Sequence, residues 1–490
     1  MIAPNLTLLA AAALSASPQA SNSFGLELEP YTAFGPGGVE LVGERGHFDV
    51  PLDHGDPDGP TLELAFVRFP STNPDPGPPI VFLAGGPGAS GIDYCVGPAA
   101  GRTLRLLDHG DVIGLDQRGT GQSEPDFDAG PQFVVELDPG RVYTRDEIGV
   151  AYAELVGRAA DHWREAGFDL AHFNTTQNAA DVDALRRALG LEQIVLYGSS
   201  YGSHLGLEVL RRHPDGVARA LLGKVEGPDQ TYKLPSTTQR FLEQLGELVR
   251  ADPGVAEQMP DLVGTVAKLL TQLEEEPALV EVERNGEALR VLVSALDLRT
   301  MIAESLGLAF SIVELPAQIA ALAAGDWSSM GDYTLSNRRL EVWSPMAIAM
   351  DCASGASKRR AAQIRRERRD PANLLSDAVN GPYPDLCESC GAGDVGDDFR
   401  KGARCEVPVL FVSGTIDART PPANVEEILE HFPAAVHVIC QNAGHEPIEI
   451  LSREYVDLAR AFLDGEAVES VTLELPQPRF KPIEVVREEP

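Results

Sequence analysis

A serine stands at the centre of Gly198-Ser199-Ser200-Tyr201-Gly202, a G-x-S-x-G run, and Asp417 and His445 follow it in chain order. A serine hydroxyl is a poor nucleophile until a histidine takes its proton. That histidine in turn needs a carboxylate to hold its tautomer and stabilise the imidazolium. These three residue types in this order point to acyl transfer, with Ser200 as nucleophile, His445 as base and Asp417 as the orienting acid. The serine pattern alone also occurs in ordinary turns, so the case rests on the elements that position it.

Residues 193–197 (QIVLY) form a short apolar, β-branched run, and Leu205, Val209 and Leu210 recur at helical spacing, which predicts strand, tight turn and helix around Ser200. Asp417 follows the apolar run 407–414 (VPVLFVSG), and His445 follows the run 436–439 (VHVI). Each of the three residues thus comes after a strand, and all would meet at the carboxyl edge of a parallel sheet. Further upstream, residues 79–83 (PIVFL) read as a strand buried on both faces, ending in Ala84-Gly85-Gly86-Pro87-Gly88. A loop so poor in side chains exposes backbone N–H groups to a developing oxyanion. The expected oxyanion hole combines the N–H of Tyr201 with that of Gly85 or Gly86. Other histidines fit the base role less well. His204 lies one turn along the outgoing helix, where it points into packing, and His213, His431 and His437 also read as structural.

The 490 residues suffice for a large buried core. A net charge of −34 provides no basic stripe to neutralise phosphates, which argues against a nucleic-acid partner. No segment approaches the run of about 18 apolar residues that a membrane span requires. The apolar stretch 6–13 followed by small residues predicts a signal peptide over 1–20, and hence export to the periplasm or the extracellular space. Six cysteines, four of them between 352 and 405, are then expected to form one or two disulfides. Cys387-Glu388-Ser389-Cys390 also has the spacing of half a zinc site, but no second pair completes it. Neither a metal nor a cofactor is required by the pattern, and nothing in the sequence speaks to oligomeric state.

Strands alternating with helices through the first half imply βαβ units. Residues 46–51 and 62–69 read as a hairpin. From 227 to 400 the alternation gives way to long helical patterns, at 237–250, 261–273, 300–324 and 357–369, which reads as a helical insertion.

The motifs Leu83-Ala84-Gly85-Gly86-Pro87-Gly88, Asp116-Gln117-Arg118-Gly119-Thr120-Gly121 and Gly198-Ser199-Ser200-Tyr201-Gly202, in this order, resemble the prolyl aminopeptidase and tripeptidyl aminopeptidase branch of the α/β-hydrolases. The resemblance runs from about residue 46 to about 464. It implies an α/β-hydrolase fold with a mostly parallel central sheet and a helical cap inserted before the last strands. The expected divisions are a core over 21–226, the cap over 227–400, a second core part over 401–465 and an extended tail over 466–490. It further implies cleavage of N-terminal residues, proline-containing or short peptide units, from peptides through an acyl-enzyme intermediate. An esterase or amidase of small molecules on the same machinery is the alternative, because the fold hosts many chemistries.

In the resembled aminopeptidases acidic residues near the pocket hold the free α-amino group. Glu226 is the best candidate here, with Glu304 and Asp351 as alternatives. The family commonly has an Asp-Gly pair where this chain has Gly223-Lys224. Arg118 is expected to brace the glycine loop through hydrogen bonds.

Overall fold

A computed structural model describes residues 24–127, 132–448 and 452–483; the expected signal peptide over 1–20 lies outside them. In chain order the strands are β1 (Glu27–Gly35), β2 (Val39–Pro51), β3 (Thr61–Phe69), β4 (Ile80–Leu83), β5 (Val112–Leu115), β6 (Phe133–Glu136), β7 (Ile194–Ser199), β8 (Val217–Gly223), β9 (Ala278–Arg284), β10 (Glu287–Val293), β11 (Arg339–Val342), β12 (Val409–Gly414), β13 (Ala435–Gln441) and β14 (Val471–Glu474). Among the described residues ten of these form one sheet, ordered β1-β2-β3-β5-β4-β7-β8-β12-β13-β14. Pairing is antiparallel from β1 to β5 and parallel from β5 to β14.

The period-2 rule is visible along β4. Val81 and Leu83 join the apolar cluster on one face of the sheet, while Ile80 and Phe82 join that on the other. The first face is covered by the helices Arg145–Glu165, Thr175–Ala188 and Tyr201–Arg212, and the second by Ala100–Leu106 and Arg453–Leu463. Burial on both faces explains why the central strands are continuously apolar. It also leaves only the strand ends free to carry polar chemistry.

Between β8 and β12 the chain builds a third apolar cluster from helices such as Pro235–Ala251, Leu262–Glu275 and Ala309–Ala323. This region is not purely helical. β9 and β10 form a hairpin whose turn residues Asn285 and Gly286 have φ of 57° and 81°. Asn-Gly between alternating apolar residues is a strong hairpin signal, and the helical reading of the insertion passed over it. β11 pairs with β6, so the insertion is hydrogen-bonded to the core.

Two further expectations change. The single helix expected over 300–324 is two, Ala295–Ser305 and Ala309–Ala323, broken at Leu306-Gly307-Leu308. The break has a tertiary cause, because the carbonyls of Leu306 and Gly307 turn outward to accept the N–H groups of Ala418 and His445, at 3.2 and 2.8 Å. Of the extended tail expected over 466–490, the described residues 466–483 are not simply extended chain on the surface. They supply β14, and Phe480 is buried in the apolar cluster of the insertion.

Cys352 and Cys387 form a disulfide across 35 residues, while Cys95, Cys390, Cys405 and Cys440 are buried thiols. Closing a loop of that length constrains the unfolded chain by about 3–4 kcal/mol. The double variant Cys352→Ala/Cys387→Ala is therefore expected to lose about that much stability in denaturant unfolding; an unchanged midpoint would refute it.

Candidate active site

β7 ends at Ser199 and a helix begins at Tyr201, so Ser200 must turn the chain within one residue. It does so at φ 58°, ψ −127°, a conformation that costs a non-glycine residue about 1–3 kcal/mol. The turn presses the chain against β4: a methyl group on Gly202 would stand 1.9 Å from the Leu83 carbonyl oxygen. Serine is thereby raised above the sheet edge. Its carbonyl accepts the Ser203 hydroxyl at 2.6 Å, and Ser203 Oγ in turn accepts the N–H of Glu226 at 2.9 Å.

The structure brings the three candidate residues together. His445 Nε2 lies 3.1 Å from Ser200 Oγ, and His445 Nδ1 lies 2.7 Å from Asp417 Oδ2. Asp417 is fully buried. Its Oδ1 accepts the N–H groups of Arg419 and Thr420 at 2.9 and 3.0 Å, and Thr420 Oγ1 donates to Oδ2 at 2.7 Å. Burial pushes this carboxyl upward, but His445 and the Thr420 bonds outweigh burial and hold it below the usual carboxylate range. An ionised carboxylate only accepts hydrogen bonds, so Nδ1 carries the proton and Nε2 is left to accept from the serine. Thr420 was missed in the sequence, although its place three residues after Asp417 is that of a turn partner.

The glycine loop lies against the serine. A methyl group on Gly85 would come within 3.2 Å of Ser200 Cβ, and Gly86 follows at φ 110°. Tyr201 is the first residue of its helix, so its N–H belongs to the set that no intrahelical carbonyl can satisfy. The loop is held by Gln117, which donates to the Ala84 carbonyl at 3.1 Å, and by Asp116, which accepts from Ser90 and the N–H of Ile92. Arg118 does not brace this loop, contrary to expectation. Its guanidinium is wholly buried in a bidentate pair with Asp181, at 2.7 Å to each oxygen, and also donates to the carbonyls of Leu52 and His172. It ties the β2–β3 connection to the helix beneath the elbow. His204 is buried, with ring nitrogens 3.2 Å from the Gly227 carbonyl and 3.1 Å from Ser354 Oγ, and burial lowers its proton affinity.

Glu226 lies buried just past β8. Its carboxylate is already engaged, because Lys233 Nζ donates to it at 2.5 Å and also to the Gln230 carbonyl at 2.9 Å. Burial raises its affinity for a proton, yet the Lys233 ammonium outweighs burial and holds the carboxyl below its ordinary value. No local pattern in the sequence signals this lysine. The second acid, Asp351, is half-buried near Glu226, beside Tyr232 and Tyr383. Burial and the Glu226 charge push its carboxyl up to about 8. Glu304 sits apart from this group, exposed and bonded to Tyr333. Lys224 has φ 52°, a conformation suited to the glycine that the resembled family has there.

Cys387 is committed to its disulfide, and among the described residues no group of three or more His, Cys, Asp or Glu could hold a metal ion. No described helix is long and apolar enough to cross a membrane.

A mostly parallel sheet covered by helices on both faces, with a strand–serine–helix elbow and a facing glycine loop, is the architecture of an α/β hydrolase. A sequence profile of the α/β hydrolase fold matches residues 78–450, and the chain belongs to that family. Serine protease Hip1 of Mycobacterium tuberculosis is 34% identical over 193 residues, 38% of this chain and 36% of that protein. Tripeptidyl aminopeptidase of Streptomyces lividans is 28% identical over 197 residues, again 38% and 36%. Carboxylesterase B of Mycobacterium tuberculosis is 38% identical over 152 residues, 28% of each chain. The matches thus span about a third of the length of these relatives.

Two outcomes follow from the geometry. Thr420→Val removes a donor from Asp417, and a fluorophosphonate probe should then label Ser200 roughly 10-fold more slowly, a rate read by gel fluorescence; equal rates would show Thr420 to be dispensable. For Asp351, the folded state keeps its proton up to about pH 8 while an unfolded carboxyl releases it near the ordinary 3.8. Wild-type stability falls as pH rises through that window. The melting temperature of Asp351→Asn relative to wild type should therefore be higher at pH 8 than at pH 5, and a pH-independent difference would count against the shift.

Proposed function

We propose that this chain is a serine hydrolase that removes N-terminal residues, proline-containing or short peptide units, from peptides through an acyl-enzyme intermediate. The observation that carries the chemistry is the relay of 2.7 Å from Asp417 to His445 and 3.1 Å from His445 to Ser200. Ser200 Oγ attacks the scissile carbonyl carbon as its proton passes to His445 Nε2. The resulting oxyanion is received by the N–H of Tyr201 and that of Gly85 or Gly86, and losing one such donor costs on the order of 3 kcal/mol in the barrier. Collapse of the adduct breaks the C–N bond, with His445 returning its proton to the departing amine. A water activated by the same histidine then releases the acyl unit.

The choice of an amino-terminal substrate is supported by the two acids beside the site and by the similarity to a tripeptidyl aminopeptidase. Since Lys233 already balances Glu226, Asp351 is the carboxyl that an arriving ammonium would meet, giving up its proton to solvent as the ammonium pairs with it. Glu226 then sets the negative field around it. The similarity to a carboxylesterase favours a second reading, hydrolysis of small esters on the same residues. Export is also part of the proposal, supported by the Cys352–Cys387 disulfide.

A panel of free peptides, their N-acetylated forms and simple esters separates these readings. The aminopeptidase reading expects acetylation to reduce kcat/KM by at least 10-fold and Ser200→Ala to abolish turnover with the fold retained by circular dichroism. Equal cleavage of acetylated peptides would sink the amine recognition, and persistent turnover by Ser200→Ala would sink the nucleophile.

A further inference from the structure

A large aromatic side chain beside the glycine loop is left outside the core. Trp343 is 59% exposed, yet its backbone is fixed on both sides. Val342 before it closes the β11–β6 pairing opposite Phe133, and Ser344 after it caps the helix Pro345–Ser354 by accepting the N–H of Ala347 at 3.3 Å. An exposed indole on a fixed backbone adds little stability by burial, whereas a ligand arriving on it gains apolar contact, and with only two side-chain torsions to order the entropic cost is small.

The helix that follows gives this indole a direction. A methyl group on Gly88 would stand 3.4 Å from the Trp343 ring and 3.5 Å from Ala347 Cβ, so the start of the helix overhangs the glycine loop. Further along, Met350 Sδ accepts the Tyr201 hydroxyl at 3.1 Å, and Ser354 Oγ meets His204 Nε2 at 3.1 Å. The helix therefore crosses the elbow from the glycine loop to the Glu226 side, with Trp343 just before one end and Asp351 toward the other. At 1.5 Å per residue the two lie roughly 12 Å apart along the axis, a span that three or four residues of extended peptide cover at about 3.4 Å each.

We infer that Trp343 is a specificity-determining contact for the residue just beyond the scissile bond, and that it favours an apolar or aromatic side chain there. This rests on the aminopeptidase reading: with the ammonium at the Asp351 end and the reacting carbonyl at Ser200, the departing part of the peptide runs toward the indole.

The test uses two peptides with the same N-terminal unit, one carrying Phe and the other Gly immediately after the scissile bond. The wild-type chain should prefer the Phe peptide by roughly 10-fold in kcat/KM. Trp343→Ala should bring that ratio close to one, Trp343→Phe should keep most of it, and Phe34→Ala, which removes an exposed aromatic side chain on β1, should keep all of it. A ratio that Trp343→Ala does not move, with cleavage still dependent on a free amino terminus, overturns this inference alone. Cleavage indifferent to N-acetylation, or no cleavage of either peptide, overturns it together with the aminopeptidase reading.

Discussion

A carboxylate with no exposure to water is the constraint on which this site depends. Taking a charge such as that of Asp417 into the interior costs several kcal/mol unless donors surround it. Four do: two backbone N–H groups, the Thr420 hydroxyl and the His445 ring. Three of these come from the turn that follows β12. The fourth requires a loop 28 residues further on to arrive in register. That loop is held from above, by the Gly307 carbonyl of the insertion, and the Asp417 loop is held by Leu306 beside it. The core and the insertion consequently form one structure at the site, and Ile416 and Ala418 pack into the insertion's own apolar cluster.

The same economy explains the elbow. Ser200 occupies a strained conformation that no local preference of serine supplies. It is tolerated because β7 is buried on both faces, the glycines allow close approach to β4, and Ser203 ties the turn to Glu226 in the segment beyond β8. Strain at the nucleophile and rigidity around it are two sides of one arrangement.

Charge beside the serine is graded. Glu226 is buried and ionised because the half-buried Lys233 donates to its carboxylate, and its field raises the affinity of neighbouring Asp351 for a proton. Two carboxyls a short distance apart thus hold different protonation states at neutral pH, which suits a site that must accept a cation without already containing an unbalanced anion. The disulfide at Cys352, next to Asp351, and Arg360, which donates to the Tyr232 carbonyl at 2.8 Å, fix the frame of that group.

The sequence by itself determined what is local. Apolar runs of strand length, the glycines flanking Ser200 and the chain order of Ser200, Asp417 and His445 are readable because a strand, a sharp turn and a following helix each impose residue types on their own few positions. The Asn285-Gly286 hairpin was equally readable by that standard. Tertiary structure alone decided the rest. Arg118 found Asp181 instead of the glycine loop, the helix broke at Gly307, Lys233 closed on Glu226 and Phe480 returned to the insertion. Each of these outcomes pairs groups whose partner is chosen by burial and by the need to satisfy a desolvated charge or carbonyl. That choice is made by the packed fold, and no spacing along the chain encodes it.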